Sequence, residues 1–124
     1  MSNIIVRQAV LSDLEALAQL LDGYRQFYGR PCDIRAAREF LLARFNHGES
    51  TLFIAHEGNT PTGFAQLYPS FSSVSLARTF VLNDLFVYEH ARRKGVASKL
   101  MSAAVKFAGS LGGCTCFVLD SNDQ

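Results

Sequence analysis

One short basic segment of the chain contains the residues whose types and spacing best suit chemistry. It reads Arg92-Arg93-Lys94-Gly95-Val96-Ala97 and lies between the end of a predicted strand and the start of a predicted helix. At such a junction, unpaired backbone N–H groups and the positive end of the helix dipole favour a bound anion. Gly95 allows the backbone to approach that anion closely, and Ala97 is small for the same purpose. The segment therefore predicts a phosphate or pyrophosphate site with three positive charges at its rim.

Other phosphate-binding patterns match this segment less well. A P-loop ends in Gly-Lys-Ser/Thr, and a dinucleotide fingerprint requires three spaced glycines. Neither pattern occurs here. The simpler alternative is a solvated cluster of basic residues at a helix start, but the strand before it and the amphipathic helix after it favour the anion site.

The elements before this segment follow from hydrophobic periodicity. A strand is predicted near residues 3–8, and Ser12 with Glu15 forms the capping box expected at the start of a first helix. That helix ends at Gly29 and Pro31, and its Phe27 is assigned to the core. A second helix begins after Asp33, ends near Gly48, and turns Ala37, Phe40, Leu41 and Phe45 inward.

Strand patterns follow at residues 51–57, 64–71 and 77–87, with a hairpin connection at 58–63. The last of these strands is almost continuously apolar, as central strands are. A helix after Gly95 and a strand at residues 115–119 complete a parallel crossover. The pattern predicts one α/β domain over residues 1–124, an α+β sandwich with a mixed sheet and the order β-α-α-β-β-β-α-β.

Composition limits the classes of partner. The 124 residues are 48% hydrophobic and 19% charged, with a formal net charge of +1, so a folded domain with no general affinity for nucleic acid or membranes is expected. No apolar run approaches the roughly 20 residues of a membrane span, and no signal peptide is evident. Cys32, Cys114 and Cys116 are predicted to be reduced thiols of a cytoplasmic protein. The three histidines are scattered without ligand spacing, so no metal site is predicted.

The pattern Arg-x-x-Gly-x-Ala, preceded by the strand Leu82-Asn83-Asp84-Leu85-Phe86-Val87, resembles the GNAT superfamily of N-acetyltransferases. That family binds the pyrophosphate of acetyl-CoA with Gln/Arg-x-x-Gly-x-Gly/Ala after its fourth strand. The resemblance is nearest to the small amine acetyltransferases of the spermidine/spermine type. It implies a mostly antiparallel sheet with helices on both faces. It also implies direct transfer of an acetyl group from acetyl-CoA to a primary amine of a small molecule or lysine-like side chain.

The resemblance also implies roles for particular residues. Tyr24 and Tyr28 are expected to line the acceptor groove, although core positions remain the alternative for them. Asn122 corresponds to an asparagine at the start of the family's next helix. The pantetheine arm is expected along Leu85, Phe86 and Val87, and the pyrophosphate along Arg92, Arg93, Lys94, Gly95, Val96, Ala97 and Ser98.

Two departures from the family pattern affect the chemistry. The family's acidic residue that helps to deprotonate the amine corresponds to Asn83, which leaves Asp84 as the nearest carboxylate, acting directly or through water. Asp84 can equally be a hydrogen-bonded polar residue of the strand. The family continues with a helix carrying a tyrosine general acid and two more strands. Since the sequence stops at Gln124, we expect a domain truncated after its fifth strand, with a homodimer possible through that exposed edge.

Three functions are consistent with the sequence. The first is an N-acetyltransferase acting on a small-molecule or lysine-like amine. The second is a non-catalytic acyl-CoA-binding or regulatory module, which Asn83 favours. The third is a structural or interaction domain in which the glycine loop has no role.

Overall fold

The computed structural model describes residues 3–112 and, by their backbone alone, residues 114–117. The predictions made for Asn122 and for the end of the last strand lie outside these residues. The elements are β1 (Ile4–Gln8), α1 (Leu14–Phe27), α2 (Ile34–His47), β2 (Thr51–Glu57), β3 (Thr60–Ser72), β4 (Ala77–Val87), α3 (Val96–Ser110) and β5 (Cys114–Phe117). This order confirms the predicted sequence of strands and helices.

The strands form one sheet in their chain order. Strands β1 to β4 pair antiparallel, and β5 pairs parallel to β4 across the α3 crossover. The sheet is therefore mixed and mostly antiparallel, as predicted. Its side chains alternate between two cores, as the period of two in a strand requires: in β2, Leu52 and Ile54 face one core, and Phe53 and Ala55 face the other.

Helices cover both faces of this sheet. The core beneath α1 and α2 contains Leu17, Leu21, Leu41, Phe64 and Phe86, among others. The core beneath α3 contains Phe80, Leu82, Val96, Leu100 and Ala104, among others. The site described below is built where β4 passes between these two cores.

The start of α1 differs from the prediction. Its N-cap is Asp13, which makes no side-chain capping bond, so the predicted box of Ser12 and Glu15 is wrong. The Asp13 carboxylate instead accepts hydrogen bonds from the Val10 N–H and from both terminal nitrogens of Arg7, each at 2.8 Å. These bonds hold a 3₁₀ turn at Leu11–Asp13, and the helix begins one residue later than predicted, at Leu14.

Two aromatic side chains assigned to the core are exposed. Phe40 is 41% exposed and Phe27 is 54% exposed. On α2 only Ala37 and Leu41 are buried, so the buried stripe is narrower than the pattern indicated. Phe40 lies one residue from Leu41, about 100° around the helix, and faces a cavity. Phe45 is confirmed as packed against the core.

The hairpin between β2 and β3 is also shorter than predicted. Only two residues, Gly58 and Asn59, separate the strands. The sequence predicted a longer loop because of Asn59 and Pro61. In the structure Ala55 pairs with Gly63 and His56 pairs with Pro61, so the register of the two strands shifts at this point. Such a bulge accommodates a proline inside a strand.

A buried carboxylate joins α1 to α2. Asp22 is 2% exposed and accepts hydrogen bonds from Gln26 Nε2 at 2.8 Å, Cys32 Sγ at 3.1 Å and the Asp33 backbone N–H at 2.8 Å. Asp33 in turn caps α2 by accepting the Ala36 N–H at 3.1 Å. Burial raises the pKa of Asp22, but the three donors together outweigh burial and bring the pKa below its ordinary value.

We predict that Asp22→Asn lowers the free energy of unfolding at pH 7 by about 1–3 kcal/mol, because an amide N–H then faces groups that donate. A carboxyl whose folded pKa is lowered stabilises the fold above the ordinary pKa of about 3.9 and loses that contribution as the pH falls. The difference in the free energy of unfolding between wild type and Asp22→Asn should therefore narrow below pH ~4. Denaturant unfolding at pH 7 and below pH ~4 measures this difference, with the exposed-site variant Glu39→Gln as control. A gap that is constant with pH would contradict this role.

Candidate active site

A β-bulge in β4 sets the direction of the site residues. Gln66 of β3 faces Asp84, but the next residue, Leu67, faces Leu82, so Asn83 is an extra residue in β4. A bulge of this kind shifts the alternation of side chains by one position. As a result, Asp84 is directed to the side of α1 and α2, opposite to Leu82.

The first of two cavities lies between the C-terminal end of β4 and the N-terminus of α3. Its volume is about 400 Å³, and we call it the β4–α3 cavity. It brings together nine of the predicted cofactor residues, and adds Tyr24 and Phe27 of α1. The nine are Leu85, Phe86, Val87, Arg92, Arg93, Gly95, Val96, Ala97 and Ser98.

The loop at this cavity has an unusual backbone. Gly95 is the N-cap of α3 and has a φ of 82°, and Arg93 has a φ of 67°. A positive φ is uncommon for a residue other than glycine, and it concentrates at functional sites. A Cβ added to Gly95 would meet no atom within 4 Å, so open space adjoins the start of the helix. Turns of this kind create concave anion sites lined by backbone N–H groups.

The three basic residues of the loop differ in placement. Arg92 Nε donates to the Val87 carbonyl oxygen at 2.9 Å, and its guanidinium lies 5.5 Å from the ring centroid of Phe27. Arg92 is thereby fixed across the end of β4. Arg93 lines the cavity. Lys94 does not line it, and its Nζ lies 3.5 Å from Glu57 Oε1.

The second cavity, about 390 Å³ in volume, lies between the sheet and helices α1 and α2. We call it the α1–α2 cavity. Tyr24 lines both cavities, so they border each other at this ring. The α1–α2 cavity is lined by Leu21, Tyr24, Arg25, Ala36, Ala37, Phe40, Tyr68 and Asp84.

Asp84 is the buried acid of the α1–α2 cavity. It is 7% exposed, and its Oδ2 accepts Gln66 Nε2 at 2.6 Å, while its Oδ1 accepts Asn83 Nδ2 at 3.1 Å. Burial raises the pKa of Asp84 above its ordinary value, although hydrogen bonds from Gln66, Asn83 and the hydroxyls of Tyr24 and Tyr68 oppose the rise. A raised pKa makes the ionised carboxylate a stronger base than that of an ordinary Asp, which suits Asp84 to accept a proton.

Two polar residues of β3 hold this carboxylate. Gln66 is 0% exposed, and its Oε1 accepts the Ser50 hydroxyl at 2.7 Å, which fixes the amide so that its nitrogen faces Asp84. Tyr68 is also close: burial, followed by the charge of Asp84, raises the pKa of Tyr68 to about 12. Tyr68 is therefore a hydrogen-bond donor at neutral pH.

The structure separates the two predicted acceptor tyrosines. Tyr24 lines both cavities, whereas Tyr28 lines neither. Tyr28 packs edge-on against Tyr24 and Phe27, with ring centroids 5.2 Å apart in each case. Its buried hydroxyl has no hydrogen-bond partner among the described residues.

Sequence reasoning missed four residues of the α1–α2 cavity and its support. Gln66 and Tyr68 alternate with buried apolar residues of β3, a pattern that marks them as facing the same side. The register with Asp84 depends on the bulge, which no sequence pattern indicated. Phe40 was assigned to the core but lines the cavity, and so does Arg25, which follows the helical spacing of the apolar residues of α1.

The structure also bears on metal binding and on membrane-spanning helices. Within residues 3–112 and the β5 backbone, no group of three His, Cys, Asp or Glu residues is placed to hold a metal ion. In the same part of the chain, no helix combines the length and apolarity needed to cross a bilayer.

The environment of Asp84 leads to a test by carbon-detected NMR titration of side-chain carboxyls. We predict that Asp84 titrates above the ordinary Asp pKa of about 3.9, and higher still in Gln66→Leu, which removes a donor but keeps the burial. Asp13 is an internal reference: its hydrogen bonds with Arg7, which outweigh burial, keep its pKa below the ordinary value in both proteins. An Asp84 pKa that is unchanged by Gln66→Leu would contradict the assigned contact.

Comparison with known proteins places this chain in a family. The family model for "Acetyltransferase (GNAT) family" matches residues 14–124. The chain is 47% identical over 116 residues to the uncharacterized N-acetyltransferase YhfO of Bacillus subtilis, covering 94% of this chain and 77% of that protein. A crystal structure of a probable acetyltransferase superposes with a TM-score of 0.86 at 38% identity, over 95% of this chain and 79% of the other.

A predicted acetyltransferase of Clostridium acetobutylicum, whose crystal structure was determined with acetyl-CoA, shares the fold. Its TM-score is 0.75 at 16% identity, over 96% of this chain and 82% of that one. The family match and the identity to YhfO agree with the order of elements and with the loop that follows β4. The chain belongs to the GNAT family of acetyltransferases.

Proposed function

We propose that this protein is an N-acetyltransferase that transfers the acetyl group of acetyl-CoA to a primary amine. The observation that carries the proposal is the shared border of two cavities at Tyr24. One cavity ends at an anion-binding loop, and the other contains a buried carboxylate. This arrangement lets two substrates meet at one place, which direct transfer requires.

The residues of the β4–α3 cavity fit coenzyme A. The N-terminus of α3 and the positive φ angles of Arg93 and Gly95 suit a pyrophosphate, and the open space beside Gly95 leaves room for it. Leu85, Phe86 and Val87 line this cavity at the end of β4, and their backbone groups would bind the amides of the pantetheine arm. The acetyl-CoA complex in the C. acetobutylicum protein supports this choice of donor.

The α1–α2 cavity would take the acceptor. An alkyl amine with a pKa of about 10 is mostly protonated at neutral pH and must lose a proton before it attacks. Asp84, directly or through water, accepts that proton, while Gln66 keeps its carboxylate oriented. Asn83 cannot accept a proton and instead donates to Asp84. Tyr24 and Tyr68 hold Asp84 from the side of the cavity.

When bound, acetyl-CoA supplies a thioester whose acetyl carbon forms a bond to the amine nitrogen as the carbon–sulfur bond breaks. Backbone N–H groups at the bulged end of β4 would stabilise the negative charge that develops on the carbonyl oxygen. The ammonium loses one proton to Asp84, and from there to solvent, before it attacks. The nitrogen loses its second proton once it is bonded to the acetyl carbon, and the departing CoA thiolate takes up a proton directly or through water. The tyrosine general acid that the family supplies from its next helix falls outside the described residues.

The main alternative is a non-catalytic module that binds acyl-CoA. The amide of Asn83, at the position where the resemblance implies an acid, is the observation that favours it. The buried and raised-pKa Asp84 beside an accessible cavity favours catalysis instead. Release of free thiol with an amine panel distinguishes the two: a module binds CoA without releasing thiol.

We predict that CoA stabilises the protein against unfolding by about 2.7 kcal/mol at ~100 times Kd, and that Gly95→Glu abolishes this effect. The new side chain would fill the open space and add negative charge at the pyrophosphate. Gly48→Glu is the matched control, since Gly48 also has a positive φ of 60° and open space beside it, but caps α2. Lys94→Ala should weaken binding modestly and reduce its salt dependence. Normal CoA binding by Gly95→Glu would place the pyrophosphate elsewhere.

We also predict that Asp84→Asn lowers kcat/KM by about 10²-fold at neutral pH and by less at high pH, where free amine is abundant. Asp84 accepts a proton only in its ionised form, so the wild-type rate should fall as the pH is lowered through its raised pKa. CoA affinity should be unchanged, since Asp84 lies outside the β4–α3 cavity. A loss of equal size at every pH would assign Asp84 a structural role.

A further inference from the structure

The α1–α2 cavity contains one acidic and one basic side chain. Asp84 is buried and comes from β4, while Arg25 is half-buried and comes from α1. The other lining residues are apolar or aromatic. Formally the two charges cancel, so the cavity as a whole does not select for a cation or an anion.

Arg25 has no carboxylate partner in the described part of the chain. There, Arg7, Arg35, Arg38 and Arg44 each form an ion pair with Asp or Glu, and Arg25 forms none. Its charge contributes to the lowered pKa of Asp22, but only as the last and smallest cause. The guanidinium can therefore bind an anion without breaking an existing ion pair.

Each charge matches one half of a zwitterion. A carboxylate such as Asp84 suits an ammonium group, and the aromatic rings of Tyr24, Phe40 and Tyr68 suit both that group and the carbon chain behind it. The planar fork of Arg25 suits a second carboxylate, which it can bind through two parallel hydrogen bonds. A volume of about 390 Å³ limits the occupant to a small molecule or the end of a chain.

We propose that the acceptor is a small amino acid-like compound, whose amine faces Asp84 and whose carboxylate binds Arg25. The inference rests on the proposed function and specifies its substrate class. It differs from the polyamine that the spermidine/spermine resemblance implied. A polyamine would bring its second ammonium close to Arg25, and like charges at that distance repel.

The test uses acceptors of matched length. γ-Aminobutyrate, its amide and putrescine share a four-carbon chain and differ at one end, where they carry an anion, a neutral group or a cation. Leucine and leucinamide form a second set with the amine next to the carboxyl group. Thiol release gives kcat and KM for each compound, and ligand-observed NMR in the presence of CoA measures binding without turnover.

In at least one set, wild-type protein should prefer the carboxylate to its amide by about 10- to 100-fold, the range expected for hydrogen bonds to a charged group. The difference should appear mainly in KM, because Arg25 contacts the end of the molecule that does not react. Arg25→Gln should reduce the preference to about one, and Arg25→Lys should restore part of it.

Arg35→Gln is the matched control. It makes the same substitution on the exposed face of α2, where Arg35 pairs with Glu39 four residues on. Exposed pairs of this kind contribute little to stability, so the acceptor preference should stay at the wild-type value. Melting temperatures of all variants show whether any loss reflects unfolding.

The outcomes separate this inference from the proposed function. Turnover of amines with no preference for the carboxylate, or a preference that survives Arg25→Gln, would overturn the inference and leave the acetyltransferase assignment in place. Arg25-dependent binding of an amino acid without turnover would support the inference and count against catalysis. Binding of none of the carboxylates would overturn it.

Discussion

The bulge at Asn83 is the constraint on which the candidate site depends. If β4 kept a strict period of two, Asp84 would share a face with Phe80 and Leu82, which are buried against α3. A carboxylate in that apolar core would lack partners, and burying it there would cost several kcal/mol or force it to stay protonated. The extra residue turns Asp84 to the other face, where Gln66 lies directly opposite it.

In the proposed function, the same bulge lets both faces of β4 serve one reaction. Beyond Asn83, Leu85 and Val87 pack toward α3, while Phe86 packs toward α1. The strand therefore ends with its backbone between the two helical layers and beside the loop that opens α3. Arg92 fixes this end by donating to the Val87 carbonyl oxygen. The anion loop and the buried acid are thus held at opposite sides of one short strand segment.

The sequence was sufficient for the elements and for the loop, but not for the second cavity. The hydrophobic pattern predicted the order of the described strands and α-helices, because most of them have an apolar face or an apolar run. The loop at Gly95 was recognisable since its chemistry is local. The α1–α2 cavity depends instead on which residues face one another across elements. The pairing of Gln66 with Asp84 requires the register of β3, and the exposure of Phe40 depends on how α2 packs on the sheet. Neither is encoded in a local pattern. The capping box failed for a similar reason, because Arg7 of the neighbouring strand binds Asp13 and reorganises the turn.

The position of α1 links the stability of the fold to the shape of the α1–α2 cavity. Asp22 and Arg25 lie three residues apart on this helix and so on the same side of it, and Tyr24 between them borders both cavities. Asp22 binds the backbone at the start of α2, which sets the separation of α1 from α2 and hence the distance between the walls of the α1–α2 cavity. Among the described residues Arg25 forms no ion pair with Asp22, and its charge is the smallest of the causes that shift the pKa of Asp22. The guanidinium lines the cavity, so in the proposed function the same helix supplies both the structural anchor and the charge that binds the acceptor.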